Sequence, residues 1–522
     1  MKSILNFKLL FLTIIVIALC FRLPQLHLRP MHGDEAVHAI KFGELLEKGV
    51  YNYDPLEYHG PTLNYFTLIP AWFLSQQTLT DVSETTLRIV AVFFGVCLIV
   101  MLLFFLDGFS RPVILFAALF SAISPAMSFY SRYYIQEMLL VCFTFGAIAC
   151  GFRYWKSKRL IWAIFLGVFL GLMHATKETF VLQLGAMLLA ILLMLLNDHR
   201  LNLKTLKKIH PWHVLTLSLI FVFTSGLFYS SFFTNPTGIL DSMLTYKSYV
   251  ARGAESGIHF HPWYYYLKML LFSKYGNGPV WSEAFVLILA IWGLVTIFVK
   301  GKKIPNNNLL RFLAFYTIIL TGFYSIIPYK TPWNLLGFFH GMILLAAIGT
   351  AEILKVVTKT QKWIVYSILI VCCAHLAWQS YLANFKYYAE PTNPYVYAHP
   401  TKDILAISDR VIEIANLYPD GLETTIQVIA PNDDYWPLPW YLRSLSNVGW
   451  WNEIDEQFPS APIILASPVV EEKLLEKLYL LPPPGQRNLY VPLFDSTMEL
   501  RPQIELRGYV VNDLWMRYQQ SK

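Results

Sequence analysis

Long apolar segments alternate with short polar loops over roughly the first three quarters of the chain. Each apolar window is close to the roughly 20 residues that an α-helix needs to cross a bilayer. Eleven such windows occur, near residues 4–22, 86–106, 112–130, 135–152, 160–175, 178–196, 213–233, 283–299, 309–327, 333–351 and 363–381. The pattern predicts an α-helical polytopic membrane protein with about 11 transmembrane helices.

The composition supports this fold class. Of the 522 residues, 56% are hydrophobic and only 14% are charged, which leaves too little polar surface to cover a soluble protein of this length. The sequence after the first window, at 24–27, has no small-residue cleavage pattern, so we expect a retained helix rather than a signal peptide. All six cysteines fall within predicted spans, which leaves no disulfide framework and no cysteine-based zinc site outside the membrane.

Most of the basic residues in the loops fall on one predicted side of the membrane. Loops rich in Lys and Arg, at 153–159, 200–208, 300–311 and 355–362, all fall on the face that holds Lys2 and Lys8. The positive-inside rule makes that face cytoplasmic, and an odd number of spans places the C-terminus outside. We therefore expect a multi-pass protein of the cell (inner or plasma) membrane. Because the net charge of +7 sits largely in these loops, no nucleic-acid partner is expected.

The outer face carries the long loops, near 24–85 and 234–281, and a tail that begins near 385. We expect two domains, a membrane domain at 1–384 and an extracytoplasmic domain at 385–522. Helical patterns at 404–417 and 469–480 alternate with β-rich runs at 424–430 and 461–466, and a final segment covers 507–517. This alternation predicts a small α/β domain.

Two adjacent carboxylates, Asp34 and Glu35, follow the first span by about ten residues and are the candidate catalytic residues. His38, Glu57 and His59 lie in the same loop. At a membrane face, such groups can take a proton or hold a divalent cation where a lipid head group arrives. The two carboxylates also fit the first turn of a helix, where the positive end of the dipole favours negative charge.

Several short motifs lie in order on the predicted outer turns. They are MHGDEAVHA at 31–39, YDP at 53–55, YHGP at 58–61, YSRYY at 130–134, ATKE at 175–178, KTPW at 330–333 and DDYWPLPWY at 433–441. Together they resemble the GT-C glycosyltransferases of the protein O-mannosyltransferase and aminoarabinose transferase type (glycosyltransferase family 39-like), nearest to the prokaryotic branch known as flippase-associated proteins. The resemblance covers roughly residues 1–380.

The resemblance implies transfer of a sugar from a polyprenyl-phosphate carrier to a protein, lipid or glycan acceptor at the outer face, with inversion. It assigns Asp34 as general base and leaves Glu35 as either a metal ligand or a residue at a helix start. The phosphate is a good leaving group, so one base suffices and no second, acidic carboxyl is required.

Cations near the ends of spans are candidates for holding the departing phosphate. Arg132, Lys177 and Lys330 are expected on the outer side, where each either binds phosphate or snorkels to the interface. Glu137 is expected to face the site or to pair with Arg132, and Glu178 is a structural partner to consider for Lys177. His59 completes the predicted substrate-binding set.

A divalent cation (Mg, Mn or Zn) is an open alternative as cofactor. Glu35 with His259 and His261 could supply ligands, although no compact zinc motif occurs and the two histidines also read as ordinary loop residues. The alternative function is a flippase or transporter component for lipid-linked sugars. A transporter usually places charges near the bilayer midplane, whereas this chain places them at the outer ends.

Overall fold

The structure is a computed structural model that describes residues 2–57, 59–197, 210–252, 259–301, 306–483, 485 and 487–522. The basic loop at 200–208, together with Lys302, Lys303 and Tyr58 of the motif at 58–61, lies outside the described residues.

Sixteen α-helices lie in the described residues before residue 385. They are α1 (Lys2–Arg22), α2 (Gly33–Lys48), α3 (Thr62–Phe73), α4 (Glu84–Val100), α5 (Arg111–Ile123), α6 (Pro125–Tyr130), α7 (Glu137–Ser157), α8 (Leu160–His174), α9 (Phe180–Asn197), α10 (Pro211–Tyr229), α11 (Thr237–Arg252), α12 (Tyr265–Leu271), α13 (Ala284–Lys300), α14 (Asn307–Ile326), α15 (Leu336–Val356) and α16 (Lys359–Tyr381).

Every predicted apolar window contains one of these helices. In the described residues, seven helices are long and apolar enough to cross a membrane: α1, α4 with its 3-10 extension to Phe105, α7, α10, α14, α15 with the preceding 3-10 turn, and α16. Four shorter apolar helices, α5, α8, α9 and α13, occupy the remaining windows. The polytopic helical fold is confirmed, and the exact number of spans stays a prediction.

Small residues let neighbouring helices approach closely. A Cβ on Gly293 of α13 would overlap the carbonyl of Leu345 on α15, and a Cβ on Gly167 of α8 would lie 2.6 Å from the carbonyl of Leu217 on α10. Such contacts drive helix association in lipid, where hydrophobic burial between helices gains little.

The first long loop, which the sequence predicts on the outer face, is largely helical, although the sequence pattern indicated an irregular segment. Helix α2 begins at a capping box in which the His32 side chain accepts from the Asp34 N–H and Glu35 accepts from the His32 N–H, and it ends at Gly49 with φ 71°. The sequence analysis anticipated a helix start at Asp34 and Glu35, but it missed the extent of α2 and the whole of α3, because neither is a continuous apolar run of membrane-spanning length.

The tail forms the predicted small α/β domain. Helices α17 (Asp403–Ala415), α18 (Leu438–Tyr441), α19 (Glu471–Tyr479) and α20 (Asn512–Ser521) accompany strands β1 (Ile426–Ile429), β2 (Val448–Trp451), β3 (Ile463–Ala466), β4 (Tyr490–Pro492), β5 (Met498–Arg501) and β6 (Ile504–Val511). The strand order is β2-β1-β3-β6-β4, with β5 also on β6. Strand β1 is parallel to both β2 and β3, and β6 is antiparallel to its neighbours.

The tail domain packs directly on the first outer loop. The Met31 N–H donates to the Tyr441 hydroxyl at 2.7 Å, the Trp440 indole N–H donates to Glu84 at 2.8 Å, and Arg443 donates to the Val82 carbonyl at 2.9 Å. The chain around buried Tyr395 also packs with the helical bundle, so the predicted boundary at 385 falls before a segment that adheres to the membrane domain.

Candidate active site

A cavity of about 710 Å³ lies between α2, the N-terminal end of α9, the C-terminal end of α14 and the turn after α14. Its polar wall contains two of the predicted catalytic and binding groups from the first loop, Asp34 and His59, together with Lys177. The remaining lining residues are Val37, His38, Glu57, Glu178, Thr179, Val181, Leu182, Tyr246, Tyr324, Ile327, Pro328, Tyr329, Thr331, Trp333 and Asn334. Sequence segments far apart in the chain thus supply one concave polar site.

Asp34 is in the first turn of α2, and its side chain is 53% exposed on the cavity side. Its own N–H donates to the His32 Nδ1 at 3.0 Å, which fixes the start of the helix. The surrounding protein alone would raise the pKa of Asp34, but His32, His38, His59 and Lys177 together hold that pKa below its ordinary value. The carboxylate is therefore ionised at neutral pH and can accept a proton.

Glu35 points the other way, into the protein interior. Its carboxylate accepts from Arg88 Nε and Nη2 at 2.8 and 2.7 Å, from the Tyr134 N–H at 2.8 Å and from the His32 N–H at 3.1 Å. The Arg29 guanidinium is 3.4 Å away. Burial alone would raise the pKa of Glu35, but Arg88 and Arg29 lower it to about 2. Of the two roles considered for Glu35, this geometry supports the structural one at the start of α2.

Lys177 forms a buried ion pair with Glu137, a residue of α7, and also lines the cavity. The sequence analysis offered Arg132 as the partner of Glu137 and Glu178 as the partner of Lys177. Both pairings are corrected, because the first turn of α7 directs Glu137 towards the start of α9. Among the described residues that line the cavity, Lys177 is the only lysine or arginine.

The cavity also contains a carboxylate–imidazole pair. The Glu178 carboxylate is 2.9 Å from the His59 Nδ1 and accepts from the Tyr53 hydroxyl at 3.2 Å. The His38 ring lies 5.8 Å from the His59 ring, and burial lowers the pKa of His38 to about 3, so this imidazole is neutral. The pair and Asp34 line the same cavity, and substrate binding by His59 stays a prediction.

Arg132 does not line the cavity. Its guanidinium donates to the carbonyls of Arg22, Pro24 and Gln25 at 3.1, 2.6 and 2.9 Å, which satisfies orphan acceptors at the end of α1. Arg132 therefore caps the C-terminal end of α1 and is not part of the candidate phosphate site.

Lys330 is likewise outside the cavity wall, although its neighbours in the turn belong to it. Its ammonium donates to the carbonyls of Ile327 and His261 and so joins the turn to the second outer loop. This contact differs from both roles expected from the sequence, phosphate binding and snorkelling.

We expect Lys330→Met to lower the free energy of unfolding by about 1 kcal/mol, because it leaves two partly buried carbonyls without this donor. The KM for a lipid-phosphate donor, measured per folded molecule, should stay unchanged. Thermal unfolding in detergent and initial rates check the two parts. A large loss of kcat with unchanged stability would instead indicate that Lys330 binds the phosphate.

The predicted metal site is not assembled. The His259 Nδ1 is 2.8 Å from the Tyr397 hydroxyl, and the His261 ring stacks on Tyr265 at 4.2 Å. Within the described ranges, no group of three or more His, Cys, Asp or Glu side chains is placed to hold a metal ion. The carboxylate oxygens of Glu35 already accept hydrogen bonds from Arg88 and from the Tyr134 N–H. Glu35, His259 and His261 therefore do not fit a common cation.

The cavity residues that were not anticipated from the sequence include three polar ones, Tyr246, Tyr324 and Asn334. The two tyrosines lie within helical segments and Asn334 in a 3-10 turn. Isolated polar residues of this kind carry no local signal of a site, because only the tertiary fold brings these segments to one cavity.

Comparison with known proteins agrees with this architecture. Residues 67–228 match the family model described as dolichyl-phosphate-mannose-protein mannosyltransferase. Comparison with curated protein sequences finds no match. The structure of ArnT from Cupriavidus metallidurans in the apo state superposes with a TM-score of 0.63 at 13% identity, over 97% of this chain and 98% of that chain. The chain has the GT-C fold of ArnT.

Two further solved structures share this GT-C fold. ArnT from Cupriavidus metallidurans bound to undecaprenyl phosphate has a TM-score of 0.64 at 13% identity, covering 98% of this chain and 99% of that chain. The oligosaccharyltransferase AglB from Archaeoglobus fulgidus has a TM-score of 0.53 at 12% identity, covering 88% and 69%. The GT-C fold thus extends through the tail domain, since the ArnT match includes nearly the whole chain.

Proposed function

We propose that this GT-C protein is a membrane glycosyltransferase that moves a sugar from a polyprenyl-phosphate carrier to an acceptor, with inversion and with Asp34 as general base. The observation that carries the proposal is the ionised Asp34 carboxylate on the wall of a large cavity that also contains Lys177. A base and a cation in one concave site are what displacement of a sugar from phosphate requires.

In the proposed step, Asp34 accepts the proton from an acceptor hydroxyl. The acceptor oxygen forms a bond to the anomeric carbon as the bond from that carbon to the phosphate oxygen breaks. The electron pair leaves with the phosphate, so the products are the glycosylated acceptor, polyprenyl phosphate and protonated Asp34. Attack on the face opposite the phosphate inverts the anomeric centre.

The cavity wall on the side of the helical bundle is apolar, formed by Val181, Leu182 and Ile327 at the outer ends of α9 and α14. A polyprenyl chain fits this side, with its phosphate at Lys177 and its sugar towards Asp34. The ArnT relative was solved with undecaprenyl phosphate bound, which supports a carrier of this class. The cavity is proposed to face outside the cytoplasm, with the N-terminus inside.

The direct test uses purified protein in liposomes with polyprenyl-phosphate hexoses and pentoses labelled in the sugar, and membranes of the source cell as acceptor. We expect label to move from the carrier to acceptor material, with release of polyprenyl phosphate. Movement of the intact labelled lipid between leaflets, without loss of its sugar, would instead establish the flippase function and contradict the proposal.

The role of Lys177 requires a charge-balanced variant, because the residue also neutralises Glu137. Lys177→Met alone leaves a buried carboxylate without its partner and should reduce the yield of folded protein. The double variant Lys177→Met/Glu137→Gln removes both charges, so folding should recover while kcat stays about a hundredfold low. Glu137→Gln alone is the control. A double variant with wild-type kcat would exclude Lys177 as the phosphate-binding residue.

A further inference from the structure

The loop that follows β1 lies at the carboxyl end of the parallel strands of the tail domain. Open α/β sheets bind ligands at this edge, where loops from adjacent strands form a crevice. Two consecutive residues of the loop, Asn432 and Asp433, have φ of 59° and 57°. Asn452, just after β2, holds them by accepting from the Asp433 N–H at 2.8 Å and donating to the Asp433 carboxylate at 2.9 Å.

A row of three aromatic rings starts from this loop. The Trp436 and Tyr435 ring centroids are 6.2 Å apart, and the Tyr435 and Trp450 centroids are 5.0 Å apart. All three side chains are partly exposed, whereas Trp440 in the same segment is fully buried. We call Tyr435, Trp436 and Trp450 the aromatic row. Its exposure distinguishes it from the rings that form the core of the tail domain.

The aromatic row is continuous with the candidate active site. At one end, a Cβ on Gly33, the residue before Asp34, would lie 3.9 Å from the Cβ of Trp436. In the middle, burial and the carboxylates of Asp433 and Glu57 raise the pKa of Tyr435 to about 12, and Glu57 lines the cavity. A molecule lying on the row therefore reaches the side of the cavity where Asp34 accepts a proton.

We propose that the aromatic row binds a saccharide acceptor and presents one of its hydroxyl groups to Asp34. This inference rests on the proposed glycosyltransferase function and names the acceptor class for the same site.

The polar groups around the row favour a neutral sugar. A sugar ring offers apolar C–H faces to aromatic side chains and hydroxyl donors to oxygen acceptors, and exposed Asp433 and Asn452 provide such acceptors beside the rings. The charges of Glu57 and Asp433 disfavour an anionic acceptor. Arg501, a nearby cation, is already paired with Asp434 at 2.5 Å.

Strand β2 offers a matched pair of variants, because adjacent residues point to opposite faces of a sheet. Trp450 belongs to the row, whereas Trp451 packs on the other face with its ring 5.3 Å from Phe458. Saturation-transfer NMR on the full-length protein in detergent would use mannotetraose and maltotetraose as probes. We expect Trp450→Ala to weaken binding about tenfold, while Trp451→Ala binds as the wild type does.

Trp450→Phe keeps a ring in the row and should retain most of the binding, which separates loss of stacking from loss of fold. Melting temperatures verify that each variant is folded. Absence of binding of either probe to the wild type, or equal effects of Trp450→Ala and Trp451→Ala, would overturn the inference. Trp450-dependent binding of a Ser/Thr-rich peptide, without saccharide binding, would overturn it in favour of a protein acceptor.

The test is independent of turnover. Asp34→Asn should bind the probes as the wild type does, because the base does not belong to the aromatic row. If the wild type transfers sugar in an Asp34-dependent manner but binds no saccharide through Trp450, only the acceptor assignment fails. If binding depends on Trp450 but Asp34→Asn still transfers sugar, only the proposed mechanism fails.

Discussion

Asp34→Asn is expected to reduce kcat by about two to four orders of magnitude while the protein stays folded, because the amide cannot take the proton of the acceptor hydroxyl. The stability cost should be below about 1 kcal/mol, since the change removes only a charge near the positive end of the α2 dipole. The backbone N–H of residue 34 can still donate to His32. Initial rates with a labelled polyprenyl-phosphate sugar, normalised to folded protein, measure the effect.

Glu57→Gln is the matched control for Asp34→Asn, because it neutralises a second carboxylate of the same cavity. It should leave kcat within a fewfold of the wild type. The pH profile adds a second readout: protonation of Asp34 stops the reaction, and because the pKa of Asp34 is lowered, activity should be lost only at a pH below the range in which an ordinary aspartate titrates. Wild-type turnover in Asp34→Asn would refute the assignment of the base.

Glu35→Gln, one residue further on, is expected to destabilise the protein, whereas Asp34→Asn mainly reduces kcat. The amide replaces one of the two acceptor oxygens with an NH2 donor, so either Arg88 Nη2 or the Tyr134 N–H then faces another donor, and the buried guanidinium charges lose their counterion. Breaking a buried pair in this way costs about 3–5 kcal/mol. We expect a strongly lowered melting temperature in detergent and a low yield of monodisperse protein.

The comparison of Asp34→Asn with Glu35→Gln is informative because the two residues are adjacent. If Glu35 were a catalytic or metal-binding group, its neutral variant would be stable and inactive. A Glu35→Gln protein with an unchanged melting temperature and no turnover would therefore contradict the structural role described above.

The membrane-spanning elements could be predicted because a bilayer sets both the length and the polarity of each helix. The length of the amphipathic helix α2 beyond its first turn, and all of α3, were missed, since the burial of these helices depends on contacts with α4 and with the tail domain. Strands β2, β4 and β5 were missed for a related reason. At three or four residues each, they show no alternation of their own and form only by pairing with β1 or β6.

The site was partly predictable. Asp34, His59 and Lys177 line the cavity as expected, because their motifs lie on outer turns. Arg132 and Lys330 share that placement in sequence but donate to backbone carbonyls. A charged residue at the end of a span can point to a ligand or to an unsatisfied helix end, and the linear pattern does not distinguish them. Only the packed structure shows which acceptors are near.

The apolar wall formed by Val181, Leu182 and Ile327 has a consequence for enzymology. A donor that reaches the site laterally, from within the bilayer, obeys two-dimensional kinetics. Its effective concentration is a mole fraction in the lipid phase and does not depend on the aqueous volume. Adding inert detergent or phospholipid at a fixed amount of donor should therefore slow turnover by surface dilution, whereas adding buffer should leave the rate per enzyme unchanged.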